Sequence, residues 1–176
     1  MADVAATAEV LSPEDVAQRV KAMAEAIAPH IDDDTVVVCL LTGAIWFAAD
    51  LTRALDKCGK SPLFDALWLS SYNDGKSSSG VIEVRAGLQR SVTGRKVLLV
   101  DDVVESGLSL AEASRMMRAA GASEVITAVF ACKPWPTARA VEPDFTGWDA
   151  PNLFLVGYGM DVAGRLRGMG GVGVVE

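Results

Sequence analysis

Short, uniformly apolar runs that alternate with segments of helical periodicity constrain the fold of this 176-residue chain more than any other feature. The runs are residues 35–41 (TVVVCLL), 96–100 (KVLLV) and 125–131 (VITAVFA). Continuous runs rich in β-branched residues are typical of strands that are covered on both faces. Strands that alternate with helices build a sheet with helices on its faces. We therefore predict an α/β fold with a mainly parallel, twisted sheet flanked by helices.

The remaining elements follow from local signals. Ser12, followed by Pro13 and Glu14, predicts the start of a helix over residues 13–28. Residues 63–72 and 80–88 are predicted strands, joined by a polar, flexible loop at 73–80. A capping box formed by Ser109 and Glu112 predicts a further helix that begins near Leu110.

The two ends of the chain differ from its middle. Residues 133–176 are rich in proline, glycine and aromatic residues. We expect them, together with the N-terminal part of the chain, to form a small hood of loops and short strands over the sheet edge. We expect residues 1–10 to be a disordered tail. With no linker or repeat visible, residues 1–176 are predicted to form one domain.

Charge and composition narrow the class of ligand. The net charge of −7 and the pI near 4.7 argue against a nucleic-acid partner, because such binding needs a basic surface. The longest apolar run, residues 36–51, is shorter than the roughly 20 residues of a membrane span. Cys39, Cys58 and Cys132 have neither disulfide nor zinc spacing, and the N-terminus lacks the basic segment of a secretory signal. We expect a cytoplasmic protein with a small-molecule ligand and no membrane partner.

The turn after residue 100 has the clearest features of a ligand-binding site. Gly107 gives the backbone its freedom there, and the free amides of residues 105–109 meet the helix dipole at the end of a central strand. That arrangement suits a phosphate monoester, and open α/β sheets bind ligands at this edge. Asp101 and Asp102 precede the turn and can accept hydrogen bonds from the two neighbouring hydroxyls of a ribose. The residues therefore predict a site for ribose 5-phosphate.

The stretch VLLVDDVVESGLSL (97–110) closely resembles the phosphoribosyl diphosphate signature of type I phosphoribosyltransferases. Three other stretches resemble successive segments of the hypoxanthine-guanine branch of that family, in order and at similar spacing. They are VVCLLTGAIWFAADLTRAL, SSYNDGKSSSGVIEV and PDFTGWDAPNLFLVGYGMDVAGRLR. The resemblance implies transfer of a 5-phosphoribosyl group from phosphoribosyl diphosphate to a 6-oxopurine, in homodimers or homotetramers.

The resemblance also implies residue roles. Asp101 and Asp102 would bind the ribose hydroxyls, and Glu105 would handle a purine proton at N7. The 5-phosphate would be held by residues of the turn, namely Glu105, Ser106, Gly107, Leu108 and Ser109. The diphosphate would contact Thr42, Gly43 and Arg167, and the base would contact Lys133 and Trp148. Ser71 and Tyr72 would head a mobile loop that closes over the site. Asp161, Asp101 and Asp102 would lie near the Mg²⁺ cofactor.

Two positions depart from the family pattern. The diphosphate loop usually reads Leu-Lys-Gly, whereas this chain has Leu41-Thr42-Gly43. The residue that handles the purine proton is usually aspartate, and Glu105 is one methylene longer. Two alternatives therefore stand beside the main prediction. One is a phosphoribosyltransferase for another base such as xanthine, and the other is a catalytically weakened nucleotide sensor.

Overall fold

The computed structural model describes residues 8–73 and 78–175, and at 71–73 and 78–82 it describes the backbone alone. Six strands form the main sheet in the order β4-β3-β2-β5-β6-β7, and all neighbours are parallel except β3 and β4. Their bounds are β2 Val36–Leu41, β3 Leu63–Asn73, β4 Ser78–Ala86, β5 Lys96–Val104, β6 Glu124–Cys132 and β7 Phe145–Asp149. The predicted α/β class and mainly parallel sheet are confirmed.

Three α-helices flank this sheet: α1 (Pro13–Ile27), α2 (Ile45–Lys57) and α3 (Leu108–Ala119). The predicted start of α1 is confirmed, since the Asp15 amide donates to Ser12 Oγ (3.1 Å) and the Ser12 amide donates to the Asp15 carboxylate (3.1 Å). A short 3₁₀ turn, Ala28–His30, follows α1. None of the helices in residues 8–73 and 78–175 is long and apolar enough to cross a bilayer.

The core has two layers, one on each face of the sheet. Helices α1 and α2 cover one face, where Ile27, Phe47 and Phe130 are completely buried. Helix α3 covers the other face, where Leu99 and Leu110 are buried. Successive residues of β5 join opposite layers, which explains why its sequence is a continuous apolar run.

A second, three-stranded antiparallel sheet forms the hood, in the order β1-β9-β8. Its strands are β1 (Ala8–Leu11), β8 (Leu155–Val156) and β9 (Val172–Val174). The disordered tail predicted for residues 1–10 is therefore wrong for 8–10, which lie in β1, the strand that pairs with β9. The predicted hood is also smaller than expected, because β7 belongs to the main sheet.

Two local predictions fail. The capping box of Ser109 and Glu112 does not form: α3 begins at Leu108, its N-cap is Gly107, and Glu112 pairs with Arg115 instead. The polar loop predicted at 73–80 is shorter, because β3 runs to Asn73 and β4 starts at Ser78. Residues 74–77 lie outside the described part of the chain.

Candidate active site

The turn between β5 and α3 forms a cleft of about 210 Å³ at the carboxyl edge of the sheet. All five residues predicted to hold a 5-phosphate line it, together with Asp101. Gly107 has φ +75°, and a Cβ atom there would lie 2.8 Å from the Val141 carbonyl oxygen. Only glycine fits this position, since the segment around Val141 of the same chain packs against the turn. The turn leaves backbone amides at the N-terminus of α3, which suits an anion.

Asp101 and Asp102, near the end of β5, are adjacent acidic residues that are only partly exposed. Burial, and then the neighbouring charge of Asp102, raises the pKa of Asp101 well above its usual range. Burial also raises the pKa of Asp102, although hydrogen bonds and the charge of Arg167 act in the opposite direction. Burial therefore disfavours the charged form of both groups, in Asp101 more than in Asp102.

The predicted diphosphate loop packs directly against this pair. A Cβ atom at Gly43 would overlap the Asp102 carboxylate, and one at Gly159 would overlap the Gly43 carbonyl oxygen. Close backbone approach thus requires glycine at both positions. The peptide bond between Leu41 and Thr42 is cis. Three separate segments of the chain, those around Gly43, Asp102 and Gly159, therefore converge.

Arg167 stabilises the segment around Gly159. Its guanidinium donates to the Gly159 carbonyl and pairs with Asp161, whose other carboxylate oxygen accepts from the Gly164 amide (2.6 Å). The structure thus places Gly43 against Asp102, and the charge of Arg167 acts on the same carboxyl group. The predicted contact of Thr42, Gly43 and Arg167 with a diphosphate stays a prediction. Residues 8–73 and 78–175 contain no group of three acidic, histidine or cysteine residues that could hold a metal ion by themselves. The predicted metal site, to which Asp161, Asp101 and Asp102 would contribute, stays a prediction, and in the ligand-free structure Asp161 has arginine and amide partners.

The predicted base-binding lysine lies just after the neighbouring strand. Lys133 follows β6, and its amide donates to the Val104 carbonyl (3.0 Å). The ammonium of Lys133 pairs with the Glu105 carboxylate. The Lys133 side chain is only 12% exposed, whereas that of Glu105 is 49% exposed. The two groups predicted to recognise adjacent atoms of the base are therefore in contact, with Glu105 on the open side.

Trp148 and Phe154 are aromatic residues in and after β7, the strand next to β6. Trp148, on β7 opposite Ala131, is partly buried against the core layer under α1 and α2. Phe154, four residues beyond Ala150, is 55% exposed. The Ala150 amide donates to the Cys132 carbonyl (2.9 Å), which places the start of that segment beside Lys133. Sequence reasoning did not single out Phe154, an exposed aromatic residue that directly precedes β8.

Sequence reasoning also missed Arg139, which donates to the Glu105 and Lys133 carbonyls. An arginine in a proline-rich loop carries no signal of such a role. Ser71 and Tyr72, predicted to head a mobile loop, lie near the end of β3. Because the tip beyond them lies outside the described residues, the mobile loop stays a prediction.

Comparison with known proteins identifies the family of this chain. Residues 9–163 match the family model described as "Phosphoribosyl transferase domain". Two bacterial proteins named hypoxanthine-guanine phosphoribosyltransferase are similar over almost their whole length. The relative from Bacillus subtilis (strain 168) is 31% identical over 95% of this chain and 92% of its own. The relative from Aquifex aeolicus (strain VF5) is 36% identical over 95% and 93%.

A solved structure shows the same fold. It is a hypoxanthine phosphoribosyltransferase from Trypanosoma cruzi, a lysine-to-arginine mutant described as a ternary substrates complex. Its TM-score is 0.88 and its sequence identity 27%, over 99% of this chain and 97% of that one. The similarity includes the segments that carry the carboxylate pair, the phosphate turn and Lys133.

Proposed function

Because the chain belongs to the phosphoribosyltransferase family, we propose that it transfers a 5-phosphoribosyl group from phosphoribosyl diphosphate to N9 of a 6-oxopurine. The products are inosine or guanosine monophosphate and diphosphate, as in purine salvage. The bacterial relatives are named for this activity. The observation that carries the proposal is the contact between Lys133 and Glu105 at the edge of the phosphate cleft.

That contact matches one edge of a 6-oxopurine. The base presents an acceptor, O6, next to N7, which can carry a proton. Lys133 donates to O6, and Glu105 accepts the proton of N7, so the base replaces a contact that the free protein already makes. Adenine presents an amino donor in place of O6 and leaves the ammonium unpaired, which selects against it.

The reaction then needs positioning and charge control more than covalent catalysis. The amides of residues 106–109 hold the 5-phosphate, and Asp101 and Asp102 accept from the ribose hydroxyls. The bond from C1 to the diphosphate oxygen breaks, and its electron pair leaves with the diphosphate. N9 of the base forms the new bond to C1, and the purine proton passes from N7 to Glu105.

We propose Mg²⁺ as the cofactor. The residues fit an ion held mostly by substrate oxygens and water, with Asp161 or the Asp101–Asp102 pair as the few protein ligands. Bound there, it would neutralise charge on the diphosphate leaving group. The raised pKa values of the pair support a ligand that brings positive charge with it.

Association with further copies of the chain is also part of the proposal. Phe64, Trp68 and Val84 on β3 and β4 are 39–46% exposed, and apolar exposure of this kind supports a homodimer or homotetramer. Light scattering after size exclusion would measure the assembly. Location in the cytoplasm remains a prediction, which the three free cysteines support.

The test of function mixes the protein with Mg²⁺, phosphoribosyl diphosphate and, separately, hypoxanthine, guanine, xanthine, adenine or uracil. We expect nucleotide and diphosphate from hypoxanthine and guanine, and at least about 100-fold lower kcat/KM with adenine. Equal use of adenine would contradict the role of Lys133. Turnover of xanthine alone would favour the other-base alternative, and ligand binding without turnover would favour the sensor.

A further inference from the structure

The loop that follows β6 encloses the phosphate turn from outside. Pro134 and Pro136 have no amide hydrogen, so the backbone pairing of β5 with β6 stops once the Lys133 amide has bonded to Val104. The loop returns at Ala140, whose amide donates to the Ser106 carbonyl (2.9 Å). Between these two backbone contacts, side chains must hold the turn to the loop.

Arg139 supplies those side-chain contacts. Its Nε donates to the Glu105 carbonyl (2.9 Å), and a terminal nitrogen donates to the Lys133 carbonyl. Its other terminal nitrogen pairs with the Glu142 carboxylate (2.9 Å). The Arg139 side chain is 13% exposed, whereas that of Glu142 is 66% exposed. A guanidinium is rigid and planar, so it fixes the distance between the two carbonyls that it bridges.

We propose that Arg139 is a positioning residue that sets the spacing of Glu105 and Lys133, and thereby the preference for a 6-oxopurine. The inference rests on the proposed function. Arg139 binds the main chain of Glu105 and Lys133, the two residues whose side chains are proposed to meet the base. The 5-phosphate depends instead on the amides of residues 106–109. These are held by α3 and by the bond from the Ala140 amide to the Ser106 carbonyl, which the loss of the Arg139 side chain leaves in place.

Because Arg139 supports the residues that meet the base and not those that hold the 5-phosphate, its loss should affect some bases more than others. When the bridge is lost, Lys133 no longer presents its ammonium at a fixed point, and the bases that depend on that ammonium suffer. Adenine does not use it as a partner and loses less. A residue needed only for folding would lower the activity with both bases by the same factor.

The experiment compares Arg139→Gln and Arg139→Lys with wild type, using kcat/KM for hypoxanthine and for adenine and KM for phosphoribosyl diphosphate. We expect Arg139→Gln to lower kcat/KM for hypoxanthine by about tenfold or more, since hydrogen bonds from a charged donor are lost. The ratio of hypoxanthine to adenine should fall by about the same factor, with KM for phosphoribosyl diphosphate within about threefold. Arg139→Lys can reach one carbonyl and should fall between the two.

Two control variants isolate the bridge. Glu142→Gln removes the exposed ion pair of Arg139 but leaves both carbonyl contacts, and should change the ratio by less than about twofold. Arg115→Gln removes an arginine from a similar i,i+3 ion pair on α3, with Glu112, and should leave both activities unchanged. Thermal unfolding of each variant shows whether it is folded at the assay temperature.

The outcomes separate the two proposals. If wild type makes no nucleotide from hypoxanthine, the proposed function fails, and the inference fails with it. If wild type is active but the folded Arg139 variants lose activity equally with both bases, or keep it, the positioning role is wrong and the function stands. Should Arg139→Gln fail to fold, the ratio measured for Arg139→Lys decides in the same way.

Discussion

At the sugar end of the site, Asp101 and Asp102 are adjacent carboxylates whose pKa values burial raises, whereas at the base end Lys133 and Glu105 pair with each other. The sugar end therefore holds two neighbouring acidic groups whose charged forms burial disfavours, although the charge of Arg167 partly offsets this for Asp102. The base end holds opposite charges that are already balanced. Both lie along the carboxyl edge of the same sheet, at the ends of β5 and β6.

This difference indicates that ligands act on the two ends in opposite ways. Ribose hydroxyls and a cation relieve an unfavourable arrangement at the sugar end, so part of their binding free energy removes an existing cost. A purine has to separate Lys133 from Glu105 and offer equally good partners to both. Affinity is thus favoured at the sugar end, and discrimination at the base end.

The largest expected effect comes from removing the carboxylate at the base end. Glu105→Gln keeps the shape but cannot accept a proton, and we expect turnover to fall about 10²- to 10⁴-fold. Binding of phosphoribosyl diphosphate should stay near wild type. Single-turnover measurements are needed so that product release cannot hide the chemical step. Glu105→Asp shortens the side chain by one methylene and tests whether the carboxylate must have its present length to reach N7. We expect this variant to retain most of the activity. A chemical step in Glu105→Gln as fast as in wild type would remove this carboxylate from the mechanism.

The next largest effect is expected from adding a cation to the diphosphate loop, at the sugar end of the site. Thr42→Lys places an ammonium near the leaving diphosphate, and such a contact is worth about 1.5–3 kcal/mol. KM for phosphoribosyl diphosphate should fall about tenfold or more, and the gain should shrink with added salt. Ser123→Lys, at the opposite edge of the sheet, adds the same charge and should change nothing. An unchanged KM in Thr42→Lys would show that residue 42 does not contact the diphosphate.

The two aromatic residues test how the base is stacked. Phe154 is more than half exposed and has ring surface to offer, whereas Trp148 already packs against the core. Loss of one stacking ring costs about 1–3 kcal/mol, so Phe154→Ala should raise KM for the base about tenfold. Trp148→Ala should mainly lower the thermal midpoint. The reverse pattern would return the stacking role to Trp148, as the family resemblance implies.

The sequence predicted the strands and the phosphate turn well, because buried parallel strands and glycine turns leave strong local patterns. It failed at the start of α3, since Ser109 and Glu112 have capping spacing but Gly107 ends the turn two residues earlier. Pairing between β1 and β9 was invisible, because its partners lie more than 160 positions apart. Arg139 was missed for a related reason: its partners are main-chain carbonyls, which every residue has.

The smallest expected effect is on stability and concerns the sugar end without ligands. The pKa of Asp101 is raised in the folded protein, so the stability that this group contributes is present at low pH and is lost as pH rises through that pKa. Asp101→Asn does not titrate, and its Oδ1 can still accept from the Asp102 amide. We expect the variant to match wild type near pH 4 and to be more stable at neutral pH. A gain of about 1 kcal/mol corresponds to roughly 2–4 °C in Tm for a chain of this size.

Two comparisons make this stability measurement specific to the carboxylate pair. Asp56→Asn removes one negative charge from the exposed end of α2 and should leave Tm unchanged at both pH values. Phosphoribosyl diphosphate with Mg²⁺ should raise Tm of wild type more than that of Asp101→Asn, because the variant has lost a carboxylate that accepts from ribose. If ligand-free Asp101→Asn melts below wild type at neutral pH, the pair is not a source of repulsion. The contrast between the two ends of the site would then rest on the base end alone.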